Sequence, residues 1–146
     1  MRTIPNNAKI IVHKYLEVTL PILPVGFVDK VLDKCEELEA DPLLIAAIIG
    51  VESGKNPELI TKYKNPANLR TKESDYQDPI QLDDLDRGIH RAVQMIKLVQ
   101  DEIEVKTVDD IAKVVRPMDP FWTDRVQSAY LKMDALLREK IILWTE

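Results

Sequence analysis

Glu52 is the residue best placed to do chemistry. It follows Leu43-Leu44-Ile45-Ala46-Ala47-Ile48-Ile49-Gly50-Val51, a run without a charged side chain. On a helix its neighbours at i−3, i−4 and i−7 are Ile49, Ile48 and Ile45, so its carboxyl lies against apolar surface. Lost hydration and the negative end of the helix dipole both disfavour the charged form. A carboxyl group kept protonated is what a general acid requires, for example to protonate the oxygen leaving a glycosidic bond. The competing reading puts Glu52 at the surface, paired with Lys55 or another base. That reading predicts an exposed or salt-bridged carboxylate.

A second carboxylate would define how such an acid works. Inverting glycosidases place a base about 6.5–9.5 Å from the acid, and retaining ones place a nucleophile about 5–5.5 Å away. The stretch after Glu52 offers Glu73, Asp75 and Asp78. Asp75 is the first candidate because Tyr76 adjoins it and can line a sugar site, with Glu73 next. The alternative is that all three are solvated loop charges. Tyr63 and Tyr76 fall in the same stretch, where their rings either stack on sugar faces or pin the stretch to the core. Asn65, Asn68 and Gln81 can bond hydroxyl and N-acetyl groups, and the planar fork of Arg70 suits a carboxylate.

Other chemistries find little support. Cys35 is the single cysteine, which excludes an intrachain disulfide, and its helical neighbours Val28, Val31 and Leu32 make it a small buried hydrophobe. His13 and His90 stand far apart without a cluster at ligand spacing, so no metal site is assigned, and no cofactor is expected. No glycine-rich phosphate loop is present. The net charge of −5 is spread without a basic segment, which argues against nucleic acid and against an anionic membrane surface as partners. No apolar run is long enough to span a membrane. The N-terminal Met1-Arg2-Thr3-Ile4-Pro5-Asn6-Asn7 lacks the features of a signal peptide. This fits a protein that stays cytoplasmic until released, one carried in a virion, or a domain trimmed from a longer extracellular protein.

The elements that must position these residues are helical. With 146 residues, 45% of them hydrophobic, the chain can build one ordinary core. Helices are predicted over residues 8–18 and 25–38, the second with Val28, Val31, Leu32, Cys35 and Leu38 on one face. Asp41-Pro42 is a strong start for the apolar helix that carries Glu52, and Gly54 fits a left-handed end to it. Residues 55–82 read as an irregular lobe that can hold a short two-stranded ribbon. Helical order resumes near Asp83, with Leu85, Ile89, Ala92, Val93, Ile96 and Val99 as a stripe interrupted by Gly88. Thr107 is predicted to cap another helix ending before Pro117, and Asp119-Pro120 to open a last one with Trp122, Val126, Ala129, Tyr130, Met133 and Leu137 inward.

Leu43–Pro57 also resembles the first motif of the lysozyme superfamily, particularly lytic transglycosylases and related muramidases. There an apolar helix ends in Glu-Ser, a small residue follows, and Asn-Pro lies a few positions on. The stretch Lys64-Asn65-Pro66-Ala67-Asn68-Leu69-Arg70 is similar to an Asn-Pro-Gly-Asn-Ile-Arg segment of some lysozyme-like proteins. Leu85-Asp86-Arg87-Gly88-Ile89-His90-Arg91-Ala92 is similar to their Gly-Ile-Arg-Ala helix start, with His90 in the place of Arg. Phe121-Trp122-Thr123-Asp124-Arg125-Val126 resembles their closing Tyr-Val-x-x-Val segment. The Gly-Leu-Met-Gln motif of typical lytic transglycosylases is missing. Trp122 stands where a Tyr is often found near the acid, so Tyr130, Tyr63 or Tyr76 would have to supply a hydroxyl if one is needed.

The resemblance implies a mainly α, lysozyme-like helical domain with a central apolar helix and a small irregular or β-ribbon lobe. Its parts would be an N-terminal helical region over 1–40, the catalytic helix over 41–54, a cleft lobe over 55–82 and C-terminal helices over 83–146. It places the general acid on Glu52, with Ser53 holding the local turn at the edge of the substrate site. Peptidoglycan or a related N-acetylated glycan is the implied partner, and cleavage of its β-1,4 bonds the implied activity. N-acetylglucosaminidase specificity is one alternative. A non-catalytic module that binds glycan or protein, such as a phage-particle or secretion component, is the other.

Overall fold

A computed structural model describes residues 3–69, 80–102 and 121–145. Its described helices are α1 (Asn6–Thr19), α2 (Phe27–Leu38), α3 (Pro42–Lys55), α4 (Glu58–Thr61), α5 (Leu85–Glu102) and α6 (Trp122–Thr145). The predicted helix between Thr107 and Pro117, the Asp119-Pro120 start and residues 70–79 of the lobe lie outside the described residues.

Asp41 starts α3 as its type and the following proline predict. Its Oδ1 accepts from Leu43 N at 3.0 Å, and Pro42 occupies the first turn, where a missing N–H costs nothing. Every residue from Leu43 to Gly50 is buried, so this helix has no solvent face over its first two turns and more. It packs against α1, α2, α4, α5 and α6 and forms the axis of the bundle. Close approach on one side depends on Gly50, because a Cβ there would run into the Tyr15 ring of α1. Gly54 does not end α3 in the left-handed conformation expected of it. The helix continues to Lys55, and a Cβ on Gly54 would come within 3.1 Å of Thr19.

Helix α6 runs antiparallel to α3. Its first residue, Trp122, meets Glu52 near the end of α3, and Tyr130 further along meets Asp41 at the start. Trp122, Val126, Ala129 and Met133 are buried along the shared face, and Ile89, Ala92, Val93, Ile96 and Val99 of α5 complete the core. Cys35 is buried, and that burial, reinforced by the charges of Asp41 and Glu36, pushes its thiol up to about 12. It is an inert part of the core at neutral pH.

The expected lysozyme-like domain with a small irregular or β-ribbon lobe is corrected to a mainly α bundle, with six helices and no β-strand among the described residues. The reason lies in how residues 56–69 satisfy their backbone. After Pro57 the chain closes into α4, and Tyr63 N and Asn65 N bond back to Glu58 O and Leu59 O at 2.9 and 2.7 Å. Side chains then take the place of a strand ladder. Asn65 Oδ1 accepts from Leu69 N at 2.8 Å, and Asn65 Nδ2 donates to Leu69 O and Ile80 O, each at 3.1 Å. Gln81 Nε2 donates to Lys62 O at 2.7 Å. Among the described residues, a single backbone bond, Leu82 N to Tyr63 O at 2.9 Å, links the two strings where a ribbon was expected. No described helix is long and apolar enough to cross a membrane.

Candidate functional site

Glu52 lies in the last turn of α3 and is 6% exposed. Its placement follows from the apolar run before it, which carries the helix through the core and delivers the carboxyl among neighbours on three sides. Trp122 Nε1, from the first turn of α6, donates to Glu52 Oε1 at 2.8 Å. Asn68 Nδ2, from the loop after α4, donates to Glu52 Oε2 at 3.3 Å. The two donors are themselves interior groups: Trp122 is fully buried and Asn68 is 7% exposed. The carboxyl is neither at the surface nor left to water.

The loop that carries Asn68 is fixed to α3 from the other side. Ser53 Oγ donates to Pro66 O at 2.6 Å, a buried bond between adjacent members of the two motifs. Lys64 and Asn68 both adopt left-handed backbone conformations, each with φ of 55°, which turn the chain sharply around Asn65. Asn68 N donates to Asn65 O at 3.0 Å across that turn. Helix α5 closes on it through Gly88, whose Cα comes so near Lys64 O that a Cβ would have no room.

The structure brings together Glu52, Ser53, Asn65, Asn68 and Trp122, although their parts differ. Asn68 and Trp122 touch the carboxyl. Ser53 and Asn65, fully buried, hold the loop, and the whole side-chain amide of Asn65 is used on backbone groups. Tyr63 is half-buried beside the loop, with Lys62 Nζ 5.1 Å from the centre of its ring, a cation–π distance.

Tyr130 is placed elsewhere. Its hydroxyl donates to Asp41 Oδ2 at 2.9 Å, at the opposite end of α3, about 16 Å from Glu52 at 1.5 Å per helical residue. Burial, then the Asp41 carboxylate, raises the Tyr130 hydroxyl above the ordinary tyrosine range. It acts there as a donor that braces the helix cap. Asp75, Glu73, Arg70 and Tyr76 lie outside the described residues, and so does Asp78. Among the described residues no group of three His, Cys, Asp or Glu side chains is placed to hold a metal ion.

Two contributors escaped the sequence reading. Gly88 shapes the site from α5, and its signal was a glycine breaking an otherwise continuous apolar stripe. The Pro66 carbonyl that receives Ser53 left no signal, because a backbone acceptor is present at every residue. Compared with protein-family models, curated proteins and solved structures, the chain matches none.

Proposed function

We propose that this chain cleaves β-1,4 glycosidic bonds in the glycan strands of peptidoglycan, with Glu52 as the general acid. The observation that carries the reading is a carboxyl 6% exposed at the end of an apolar helix, with side chains from two other parts of the chain orienting its oxygens. An acid held in one orientation spends little reorganisation when it transfers its proton. The ordered resemblance to lytic transglycosylase and muramidase motifs, which supplies Glu52, Asn68 and Trp122, supports the substrate class.

The same burial favours a second reading. A carboxyl bonded to a fully buried indole and a nearly buried amide can serve as a tie between α3, the loop and α6 in a module that binds glycan or protein without cutting it. The two readings separate on Glu52→Gln, which keeps the shape and removes the acid. Purified peptidoglycan is incubated with either protein, and soluble fragments are analysed by mass spectrometry. Catalysis predicts fragments from the unmutated protein and a rate lower by about 10²–10⁴-fold in the variant. Their end groups then distinguish a reducing sugar from an anhydro sugar. No fragments from folded, unmutated protein across several wall types and a range of pH would overturn the enzymatic reading in favour of the binding module.

A further inference from the structure

The connection between α1 and α2 turns apolar side chains outward. Residues 18–28, between Glu17 and Asp29, carry no charged side chain. Leu20 and Phe27 are buried and anchor the connection to the core from its two ends. Pro21 and Ile22 between them are exposed, Val18 in the last turn of α1 is 85% exposed, and Val25 is 100% exposed. The turn that presents them is braced. Pro21 and Pro24 fix their own φ, Phe27 N donates to Pro24 O at 3.0 Å, and Lys30 N donates to Gly26 O at 3.0 Å. Gly26 adopts φ of 76°, and nothing lies within 4 Å of the place a Cβ would take there. The tip is therefore convex and stands clear of the bundle. Aliphatic side chains held in water on a rigid tip mark a surface that gains by being covered.

We propose that this tip seats the protein on the surface of a bilayer of zwitterionic lipids, with Val18, Ile22 and Val25 entering the boundary between headgroups and acyl chains. Shape, area and charge select that occupant. A convex tip has no groove to receive a peptide, whereas a fluid bilayer closes around it. A second copy of the chain would need roughly 800 Å² on each partner, some 20–30 residues a side, far more than one short connection offers. The charged residues bordering the tip are engaged on the protein's own surface. His13 Nδ1 lies 3.6 Å from Glu17 Oε1 and its Nε2 2.9 Å from Asp29 Oδ1, while Lys30 Nζ lies 2.8 Å from Asp86 Oδ1. With a net charge of −5 on the whole chain, burial of apolar surface rather than attraction to anionic lipid supplies the binding. The protein lies on the bilayer and does not cross it. Docking also has a direction. A Cβ on Gly54 would come within 3.1 Å of Thr19, so the tip lies at the end of α3 that carries Glu52 and holds that end near the lipid. The inference stands whether or not Glu52 cleaves glycan.

Co-sedimentation with phosphatidylcholine vesicles tests it. The unmutated protein should partition onto them, about equally onto vesicles that also contain phosphatidylglycerol, and as well at high salt as at low. Val25→Asp should lower the partition by at least about 10-fold, and Val25→Leu should preserve it. Both variants should keep the urea midpoint, because Val25 is fully exposed. A polarity-sensitive fluorophore on Val25→Cys reads the contact directly. Cys35, buried and with its thiol pushed up to about 12, leaves the new cysteine as the reactive one. Its emission should shift to the blue when vesicles are added. Absence of partition, or emission unchanged by vesicles, would overturn the proposal. So would binding confined to anionic vesicles and lost in salt, or Val25→Asp binding as well as the unmutated protein. A concentration-dependent dimer without lipid, abolished by Val25→Asp in sedimentation velocity, would assign the tip to a second copy instead.

Discussion

Trp122→Ala should lower the free energy of unfolding by about 3–5 kcal/mol, the range for deleting a large aromatic from a packed interior. Trp122 is the largest of the fully buried side chains and joins the start of α6 to the end of α3. Trp122→Phe separates its two contributions. Phenylalanine keeps an aromatic body in the core but removes the N–H given to Glu52 Oε1, and loss of a buried partner costs about 1–3 kcal/mol. Urea denaturation of both variants measures the two values. A cycle combining Trp122→Phe with Glu52→Gln then isolates the coupling, expected at about 0.5–3 kcal/mol for groups in contact. Coupling near zero would mean that ring packing alone carries the effect and that the 2.8 Å bond contributes nothing of its own.

The second large effect is expected from one methyl group. In an ordinary helix interior, Gly→Ala stabilises by about 0.8–1 kcal/mol. Gly88→Ala in α5 should do the reverse, by about 1–3 kcal/mol, because the added Cβ would collide with Lys64 O and crowd Pro66 Cδ at 3.2 Å. Lys64 O is backbone, and its segment is pinned by the Ser53–Pro66 bond and by Asn65, so it cannot swing aside as a flexible side chain would. Since the displaced segment carries Asn68, any glycan cleavage should fall together with stability while overall helix content stays constant. Gly54→Ala is the matched control. Its nearest obstacles are a Thr19 methyl and the Thr19 carbonyl oxygen, each at 3.1 Å, a crowding that a shift of a few tenths of an ångström relieves, so its cost should be the smaller of the two. Equal urea midpoints for Gly88→Ala and the unmutated protein would show that the 64–68 turn yields easily.

What could be read in advance follows from the range of each signal. Asp41-Pro42 and the apolar run define α3 through local capping and burial, and both survive in the structure. The burial of Glu52 follows from its i−3 and i−4 neighbours, again within one helix. Tyr130 shows where such reasoning stops. Its place in an inward stripe fixes which face of α6 it occupies, but not which level of α3 it meets, and it meets Asp41. Asn65 fails differently: its type suits sugar hydroxyls as well as it suits backbone amides, and only the fold brings Ile80 O within 3.1 Å. In the described part of the lobe the expected ribbon gave way for the same reason, since the side-chain amides of Asn65 and Gln81 bond the backbone there. Gly88 was visible as an anomaly without its cause, because Lys64 lies on another element.

Helix α3, enclosed by the other helices along most of its length, has a further consequence for movement. Its amide protons from Leu44 to Ile49 are shielded by packed side chains as well as by the helix, so they exchange with solvent only when the whole bundle opens. Glu52 is thus mounted on a helix enclosed on most sides by the other described helices. Among the described residues, the groups that cover its carboxyl are the turn around Asn68 and the start of α6, with the helix beneath acting as a stationary anvil.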